Sequence, residues 1–271
     1  MILCLDVGNS HIFGGVFNKS NKLLLCFRHS TYSSTTSDQL GTFLKNVLRE
    51  NNFDSKQITA IALCSVVPSI DYSLRSACKK YFKITPFVLN SSTKTKIKIK
   101  TINPAENGAD IIAGVIAATN YYPQKDLLII DLGTVTTIAA VTKNREYLGV
   151  TFIPGIQTAM NSLQINAEKL FTVEIIKPKK ALGRSTTDSI QAGLFFGHLG
   201  AIKEIISRIT KEIFNQKKPL LIATGGFAHL FKHEKIFSHL EPDLVLHGIK
   251  LAYEINKNEH YTEQKLVSEV S

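Results

Sequence analysis

The chain carries the same pattern of apolar and polar residues twice, in segments that begin at Ile2 and Leu127. In each segment a short apolar run ends in an acidic glycine turn, which reads Asp-Val-Gly-Asn at 6–9 and Asp-Leu-Gly-Thr at 131–134. A second apolar run follows each turn. Apolar runs bounded by glycine turns are typical of buried strands. The pattern therefore predicts a strand–turn–strand unit that occurs twice.

Elsewhere the periodicity alternates between strand and helix patterns. Short apolar runs predict strands at 2–5, 11–17, 22–29, 58–65, 86–89, 127–130, 135–142, 146–151 and 219–224. Amphipathic or small-residue patterns predict helices from 37 to about 48, at 72–81 and 111–120, from 156 to 170, and from 188 to about 215. Alternating lysines at 94–100 predict an edge strand with one charged face. Strands that alternate with helices indicate parallel sheets with helical crossovers.

The repeat suggests a division of the chain. We expect an N-terminal domain at 1–118 and a C-terminal domain at 119–255, with the last helix packing on the first domain. The segment 256–271 is expected to be a polar, frayed tail.

Composition adds few constraints. The 271 residues are 44% hydrophobic and 20% charged, as in an ordinary soluble globular protein. No run approaches 18 apolar residues, so we expect no membrane span. The chain enters a strand directly after Met1 without a leader pattern, which predicts a cytoplasmic location. The four cysteines lack metal or redox spacing and are expected to be buried, reduced thiols.

The net charge of +10 raises the question of a nucleic-acid partner. The lysines are scattered instead of forming one dense patch, so we expect no nucleic-acid binding. A small polyanion such as ATP would be attracted equally well.

The repeated turn suits phosphate chemistry. Glycine lets backbone N–H groups approach an anion, and aspartates hold cations directly or through water. A third glycine turn, Thr-Gly-Gly at 224–226, follows a predicted strand and would let a nucleotide lie against bare backbone. Asp110 begins a predicted helix, where aspartate serves either as an N-cap or as a general base. His229 and His233 lack a third ligand and are interpreted as structural or surface residues.

The ordered set of motifs resembles the type III pantothenate kinases. The set runs nearly end to end, as Asp-x-Gly-Asn, Gly-Ala-Asp, Asp-x-Gly-Thr, Pro-Gly, Ser-Thr and Thr-Gly-Gly. The resemblance implies an α/β fold of two duplicated ribonuclease-H-like domains, of the actin-like ATPase type, facing a nucleotide cleft. It also implies ATP-dependent phosphorylation of the pantothenate hydroxyl, with Mg²⁺, a monovalent cation (K⁺ or NH₄⁺) and a homodimer.

The resemblance assigns roles to residues by position. It makes Asp110 the general base, Asp6 a magnesium ligand directly or through water, and Asp131 a neighbour of the monovalent cation. Residues expected to contact ATP or its phosphates are Asp6, Gly8, Asn9, Ser10, Gly133, Thr134, Thr136, Thr137, Thr224, Gly225 and Gly226. Residues expected at the pantothenate site are Gly108, Asp110, Ile111, Thr186 and Thr101.

Two of these positions depart from the family pattern. Ile111 stands where the family has an arginine that is expected to bind the pantothenate carboxylate, and Thr101 stands in place of a tyrosine. Isoleucine cannot replace a charge-assisted hydrogen bond to a carboxylate.

Three alternatives therefore stay open. The first is a degenerate, non-catalytic paralogue that binds nucleotide. The second is a kinase of the same superfamily with a less anionic hydroxyl substrate. The third is a ribonuclease-H-like nuclease with two metal ions. The glycine loops argue against the nuclease.

Overall fold

A computed structural model describes the backbone of residues 1–268 and the side chains of residues 1–257. The chain forms two compact units. Unit 1 comprises Met1–Lys96, Asn103–Ala117 and the segment from Leu244 onward, and unit 2 comprises Ile97–Ile102 and Ala118–Asp243. The predicted boundary at residue 118 stays a prediction.

Unit 1 is built on a five-stranded sheet with the strand order β3-β2-β1-β4-β5. Strands β1 to β3 form an antiparallel meander, and β4 and β5 add in parallel beyond β1. The strands are β1 (Ile2–Val7), β2 (His11–Phe17), β3 (Leu23–Ser30), β4 (Ala60–Ser65) and β5 (Phe87–Val88).

Unit 2 is built on a six-stranded sheet with the order β11-β10-β7-β8-β9-β6. Strands β7 to β9 form the meander, and β10 and β11 add in parallel beyond β7. The strands are β6 (Lys98–Ile99), β7 (Leu127–Leu132), β8 (Val135–Val141), β9 (Glu146–Pro154), β10 (Leu220–Thr224) and β11 (His239–Leu240).

The two sheets repeat one topology, with β6 as an extra edge strand in unit 2. The register also repeats, because Asp6 near the end of β1 pairs with Cys64 on β4, and Asp131 on β7 pairs with Thr224 on β10. The apolar interiors of β1 and β7 are buried in separate cores. The repeated hydrophobic pattern therefore corresponds to a duplicated unit.

Six α-helices accompany the sheets in the described part of the chain. They are α1 (Ser37–Glu50), α2 (Pro68–Ala77), α3 (Ala109–Tyr121), α4 (Ile156–Asn166), α5 (Thr186–Ile213) and α6 (Leu244–Ser268). Helix α1 begins with a capping box in which Thr36 and Gln39 satisfy each other's backbone N–H groups. Within residues 1–268, no helix is long and apolar enough to cross a membrane.

Helix α6 belongs to unit 1, where it contacts β1 and β4. Gly248 lies so close to the backbone of Ala113 on α3 that a side chain at this position would overlap it. Buried Lys250 bonds Asn21, in the turn between β2 and β3, and bonds Glu254 at 2.6 Å. These contacts join the late helix to the first strands of the chain.

Several elements differ from their predicted extents. Helix α2 begins at Pro68 instead of residue 72, because proline fits the first turn, and a π-helical turn follows at Cys78–Phe82. The predicted basic strand shortens to Lys98–Ile99, the two residues that pair with β9. Helix α4 ends at Asn166 instead of residue 170, and α6 is helical to Ser268 where a polar tail was expected.

The cysteines are free, but only three are buried. The expectation that all are buried is wrong for Cys26, which lies on the exposed side of edge strand β3.

Candidate active site

The turn between β1 and β2 is the first candidate phosphate loop. The Gly8 N–H donates to the His11 carbonyl at 3.0 Å and closes the turn. Thr31, just after β3, holds the loop through two hydrogen bonds. Its hydroxyl donates to the Gly8 carbonyl at 2.8 Å, and its N–H donates to the Ser10 carbonyl at 3.0 Å. Asn9 and Ser10 are exposed. The loop is thus fixed at its base and open at its tip.

Asp6 lies half-buried at the carboxyl end of β1. Its Oδ1 accepts a hydrogen bond from the Cys64 thiol, with 3.4 Å between sulfur and oxygen. Because β1 and β4 are parallel, their carboxyl ends lie at the same edge of the sheet. Ser65 and the turn before α2 follow Cys64 at this edge, where the Ser65 hydroxyl accepts from the Val67 N–H.

Asp110 lies in the first turn of α3, also in unit 1. Its carboxylate accepts a hydrogen bond from the Ile111 N–H at 2.8 Å. Gly108 leaves room for this carboxylate, since a side chain at 108 would collide with Asp110 Oδ1. Burial raises the pKa of Asp110, against the opposing effect of the backbone hydrogen bonds. A carboxylate with a raised pKa is a better proton acceptor than an ordinary aspartate.

Cys64 lies near the two predicted acids of unit 1, Asp6 and Asp110. Burial raises the pKa of its thiol, and the negative charges of Asp6 and Asp110 raise it further. Both predicted acids are therefore close enough to Cys64 for their charges to act on its thiol.

The turn between β7 and β8 is the second candidate loop, in unit 2. The Thr134 carbonyl accepts from the Gly155 N–H at 3.1 Å and from the Thr158 hydroxyl at 2.6 Å. Gly155 packs directly on the backbone of Gly133 and Thr134, so a side chain there would overlap the loop. The start of α4 consequently fixes the second loop much as Thr31 fixes the first.

Asp131 and the Thr-Gly-Gly turn lie together in unit 2. Thr224 on β10 pairs with Asp131 on β7, and the backbone of Gly225 lies against the Asp131 carboxylate. Gly225 has φ of +88°, which favours glycine, and a side chain there would also collide with Asp131. The Phe227 N–H donates to the Leu132 carbonyl at 3.0 Å and closes this arrangement.

Thr136 differs from the other predicted phosphate contacts because it is buried. Its hydroxyl shares a hydrogen bond of 3.0 Å with Nε2 of His198 on α5. Burial lowers the pKa of His198. Thr137, the next residue on β8, is half-buried and points to the opposite side of the strand. A phosphate contact by Thr136 stays a prediction.

The remaining predicted residues are spread over both units. Thr186 is exposed at the first turn of α5, after the N-cap Ser185. Thr101 lies in unit 2, whereas Gly108 and Ile111 lie in unit 1. His229 is exposed, and its Nδ1 donates to the Gly226 carbonyl at 2.9 Å.

Sequence reasoning missed the supporting residues Cys64, Thr31 and His198. Their partners are distant in sequence, and strand pairing or helix packing brings them together. Of these, Cys64 had a signal, because it is the next-to-last residue of the predicted strand 58–65, and Asp6 lies at the corresponding end of another predicted strand.

Among the side chains of residues 1–257, no three or more His, Cys, Asp or Glu residues form a group that could hold a metal ion. Mg²⁺ bound together with a nucleotide usually takes only one or two carboxylates alongside phosphate oxygens.

Sequence comparisons agree with these motifs. A sequence model described as "Type III pantothenate kinase" matches residues 2–208. A type III pantothenate kinase of Legionella pneumophila strain Corby is 54% identical over 256 residues, 94% of this chain and 99% of that protein. The corresponding protein of Elusimicrobium minutum is 46% identical over 258 residues, which cover 95% of this chain and all of that protein.

Solved structures share the fold at low sequence identity. A Campylobacter jejuni protein assigned to the Baf family has a TM-score of 0.59 at 20% identity, and covers 94% of this chain and 99% of its own. A Sinorhizobium meliloti protein assigned as a 2-dehydro-3-deoxygalactonokinase has a TM-score of 0.57 at 12% identity, with 94% and 96% covered.

These neighbours and the repeated topology confirm the predicted α/β fold of duplicated domains of the actin-like ATPase and sugar kinase type. With the sequence matches over nearly its whole length, the chain belongs to the type III pantothenate kinase family.

Proposed function

We propose that this protein transfers the terminal phosphoryl group of ATP to the hydroxyl of pantothenate and forms 4'-phosphopantothenate, the first step of coenzyme A biosynthesis. Identity with named pantothenate kinases over nearly the full chain supports the reaction. The observation that carries the mechanism is the pair of acids whose charges both act on Cys64, with Asp6 near the end of β1 and Asp110 in the first turn of α3. The need for ATP also favours a cytoplasmic location.

In the proposed mechanism Asp110 is the general base. It accepts the proton of the pantothenate hydroxyl as the oxygen attacks the γ-phosphorus, and the bond between that phosphorus and the ADP oxygen breaks. The raised pKa of Asp110 suits this role, because the carboxylate then holds a proton more readily. The Ile111 N–H and the space at Gly108 fix the orientation of the carboxylate.

Phosphates are assigned to the two glycine loops and the nucleoside to the Thr-Gly-Gly turn. Asn9, Ser10 and Thr134 are exposed at the tips of loops that are fixed at their bases. Loops held in this way bind anions without reorganising, which is the main contribution a protein makes to phosphoryl transfer.

Two cations complete the proposal. Asp6 would hold Mg²⁺, directly or through water, and bound Mg²⁺ supplies positive charge to the phosphate oxygens. The monovalent cation, K⁺ or NH₄⁺, is assigned to Asp131, whose carboxylate lies beside the backbone of Gly225 and Leu132.

The decisive experiment is ADP release from ATP, Mg²⁺ and K⁺, with and without pantothenate at up to millimolar concentration. Pantothenate-dependent turnover is expected. If ATP binds but pantothenate does not stimulate turnover, the protein is a nucleotide-binding paralogue without this activity. Stimulation by an uncharged alcohol, and not by pantothenate, would indicate a substrate that suits the half-buried, apolar Ile111.

The expected homodimer is also part of the proposal. Three apolar residues lie exposed at the carboxyl end of α4 and just beyond it, namely Leu163, Ile165 and Phe171. The Thr172 hydroxyl donates to Gln164 Oε1 at 2.6 Å and holds this segment to the helix. Ile165 is 80% exposed, which favours coverage by a second copy.

Sedimentation analysis tests this surface. Wild type is expected to sediment as a dimer and Ile165→Asp as a monomer. Tyr72→Asp, an equally exposed site in unit 1, is the control and is expected to stay dimeric. A dimeric Ile165→Asp variant would exclude this surface.

A further inference from the structure

Cys64 is a buried thiol that touches a proposed ligand of Mg²⁺. It is fully buried on β4, and its sulfur lies 3.4 Å from Asp6 Oδ1. The contact follows from the backbone, because the parallel register places Cys64 opposite Asp6 in the sheet. Both strands lie in the core of unit 1, so the thiol cannot move away from the carboxylate without repacking.

The direction of this hydrogen bond is defined. A deprotonated carboxylate only accepts, so the S–H must donate. Fully buried Cys64 has its sulfur within hydrogen-bond distance of Asp6 Oδ1, so the thiol is the donor in this contact.

Orientation of Asp6 matters because the Mg²⁺ ion has strict geometry. Magnesium demands near-octahedral coordination, so a carboxylate that rotates binds it less well than one held in place. Residues that hydrogen-bond a metal-binding side chain commonly tune its affinity. In this chain, Cys64 makes such a hydrogen bond to Asp6.

We propose that Cys64 is a positioning residue for the phosphoryl-transfer reaction, in which its thiol holds the Asp6 carboxylate in the orientation that binds Mg²⁺–ATP. The proposal rests on the role of Asp6 in the proposed function. It goes beyond that function by assigning a task to a residue outside all the recognised motifs.

Equilibrium binding of a non-hydrolysable ATP analogue, measured by calorimetry with and without Mg²⁺, tests the proposal without relying on turnover. The quantity compared is the magnesium factor, defined as the factor by which Mg²⁺ lowers the dissociation constant of the analogue. Cys64→Ala is expected to reduce this factor about five-fold, as for the loss of one modest hydrogen bond to a charged group. Cys64→Ser, which keeps a donor, is expected to stay within about two-fold of wild type.

Two further variants separate positioning from packing. Cys78→Ala removes another buried thiol from the core of unit 1, away from the acids, and is expected to leave the magnesium factor unchanged. Cys64→Val fills the space without a donor and is used alongside Cys64→Ala in case the smaller side chain prevents folding. In turnover, loss of the donor is expected to raise the Michaelis constant for Mg²⁺–ATP more than it lowers kcat.

Three results would overturn the proposal. They are an unchanged magnesium factor in Cys64→Val, a loss in Cys64→Ser as large as in Cys64→Val, and an equal loss in Cys78→Ala. Asp6→Asn distinguishes failure of the underlying function. If that variant keeps the full magnesium factor, Asp6 does not bind Mg²⁺, and the role of Cys64 falls with it.

Discussion

The carboxylate of Asp110 is placed where ionisation is unfavourable for the folded state. Burial raises its pKa above the usual value, so at neutral pH the folded chain carries a charge that would be better solvated in the unfolded chain. Strained or desolvated groups of this kind are common at active sites. The same feature that makes Asp110 a better base should therefore lower stability.

Asp110→Asn separates these two effects. The amide oxygen can still accept from the Ile111 N–H, and the buried charge is gone. We expect a higher melting temperature at pH 7, retained ATP binding and a loss of turnover of at least 100-fold. The stability gain should shrink as pH falls through the raised pKa, because wild-type Asp110 then becomes neutral too. Full activity would exclude Asp110 as the base.

The neighbour of Asp110 suggests a gain of function. Ile111 is half-buried beside the proposed base and supplies no charge to a substrate carboxylate. We expect Ile111→Arg to lower the Michaelis constant for pantothenate by about ten-fold, since a hydrogen bond between charged groups contributes roughly 1.5–3 kcal/mol.

The control for this gain is Ile111→Met, which keeps an uncharged side chain and should leave the constant unchanged. Initial rates over a range of pantothenate concentrations provide the measurement. An equal or higher Michaelis constant in Ile111→Arg would show that the carboxylate lies elsewhere.

At the scale of elements, α5 and β8 are joined by a buried histidine. His198 shares its hydrogen bond with Thr136, and burial lowers the pKa of the imidazole. A base with a lowered pKa takes up its proton at lower pH in the folded chain than in the unfolded chain, where protonation begins near pH 6.5. Stability is unaffected above that pH and falls as the solution becomes more acidic.

His198→Gln isolates this contribution, because glutamine keeps a hydrogen-bonding group and does not titrate. The difference in unfolding free energy, wild type minus variant, should fall below about pH 6.5, by up to about 1.4 kcal/mol per pH unit. Urea unfolding from pH 5 to 7.5 measures it. Parallel curves would mean that the pKa of His198 is the same in the folded and the unfolded chain.

Elements were predictable from sequence where their causes are local. Strand β2 matches its predicted extent, and α1 begins at the predicted residue, because turn and capping residues lie within a few positions. The strand predicted at 94–100 is longer than β6, because the length of β6 depends on pairing with Glu146 and Tyr147 of β9. The site divides in the same way: the acids follow from motifs, but Cys64 and His198 depend on strand pairing and helix packing.

At the scale of the whole chain, α6 makes a polar contact within unit 1 that no sequence motif predicts. The Lys250 ammonium is 2% exposed and bonds Asn21 and Glu254, with the ring of Phe17 at 6.0 Å. Removing one partner of a buried charged group leaves the others without compensation.

Glu254→Leu therefore should destabilise the protein by roughly 3 kcal/mol, measured as a shift of the urea midpoint, because it leaves the buried Lys250 ammonium without its counter-charge. The matched control is Arg208→Met, which breaks the ion pair of 2.7 Å with Glu204 on the surface of α5. That change should stay below about 1 kcal/mol. Equal effects would mean that burial adds nothing to the Lys250 contact.

The position of α6 in the sequence also affects how the protein is made. The strands that it covers, β1 and β4, leave the ribosome long before Leu244 does, and the whole of β7 to β11 is synthesised in between. At roughly 5–20 residues per second, this delay lasts about 10 to 40 seconds. For that time the nascent chain exposes the apolar surface that α6 later covers, so the protein is most prone to aggregation during its own translation.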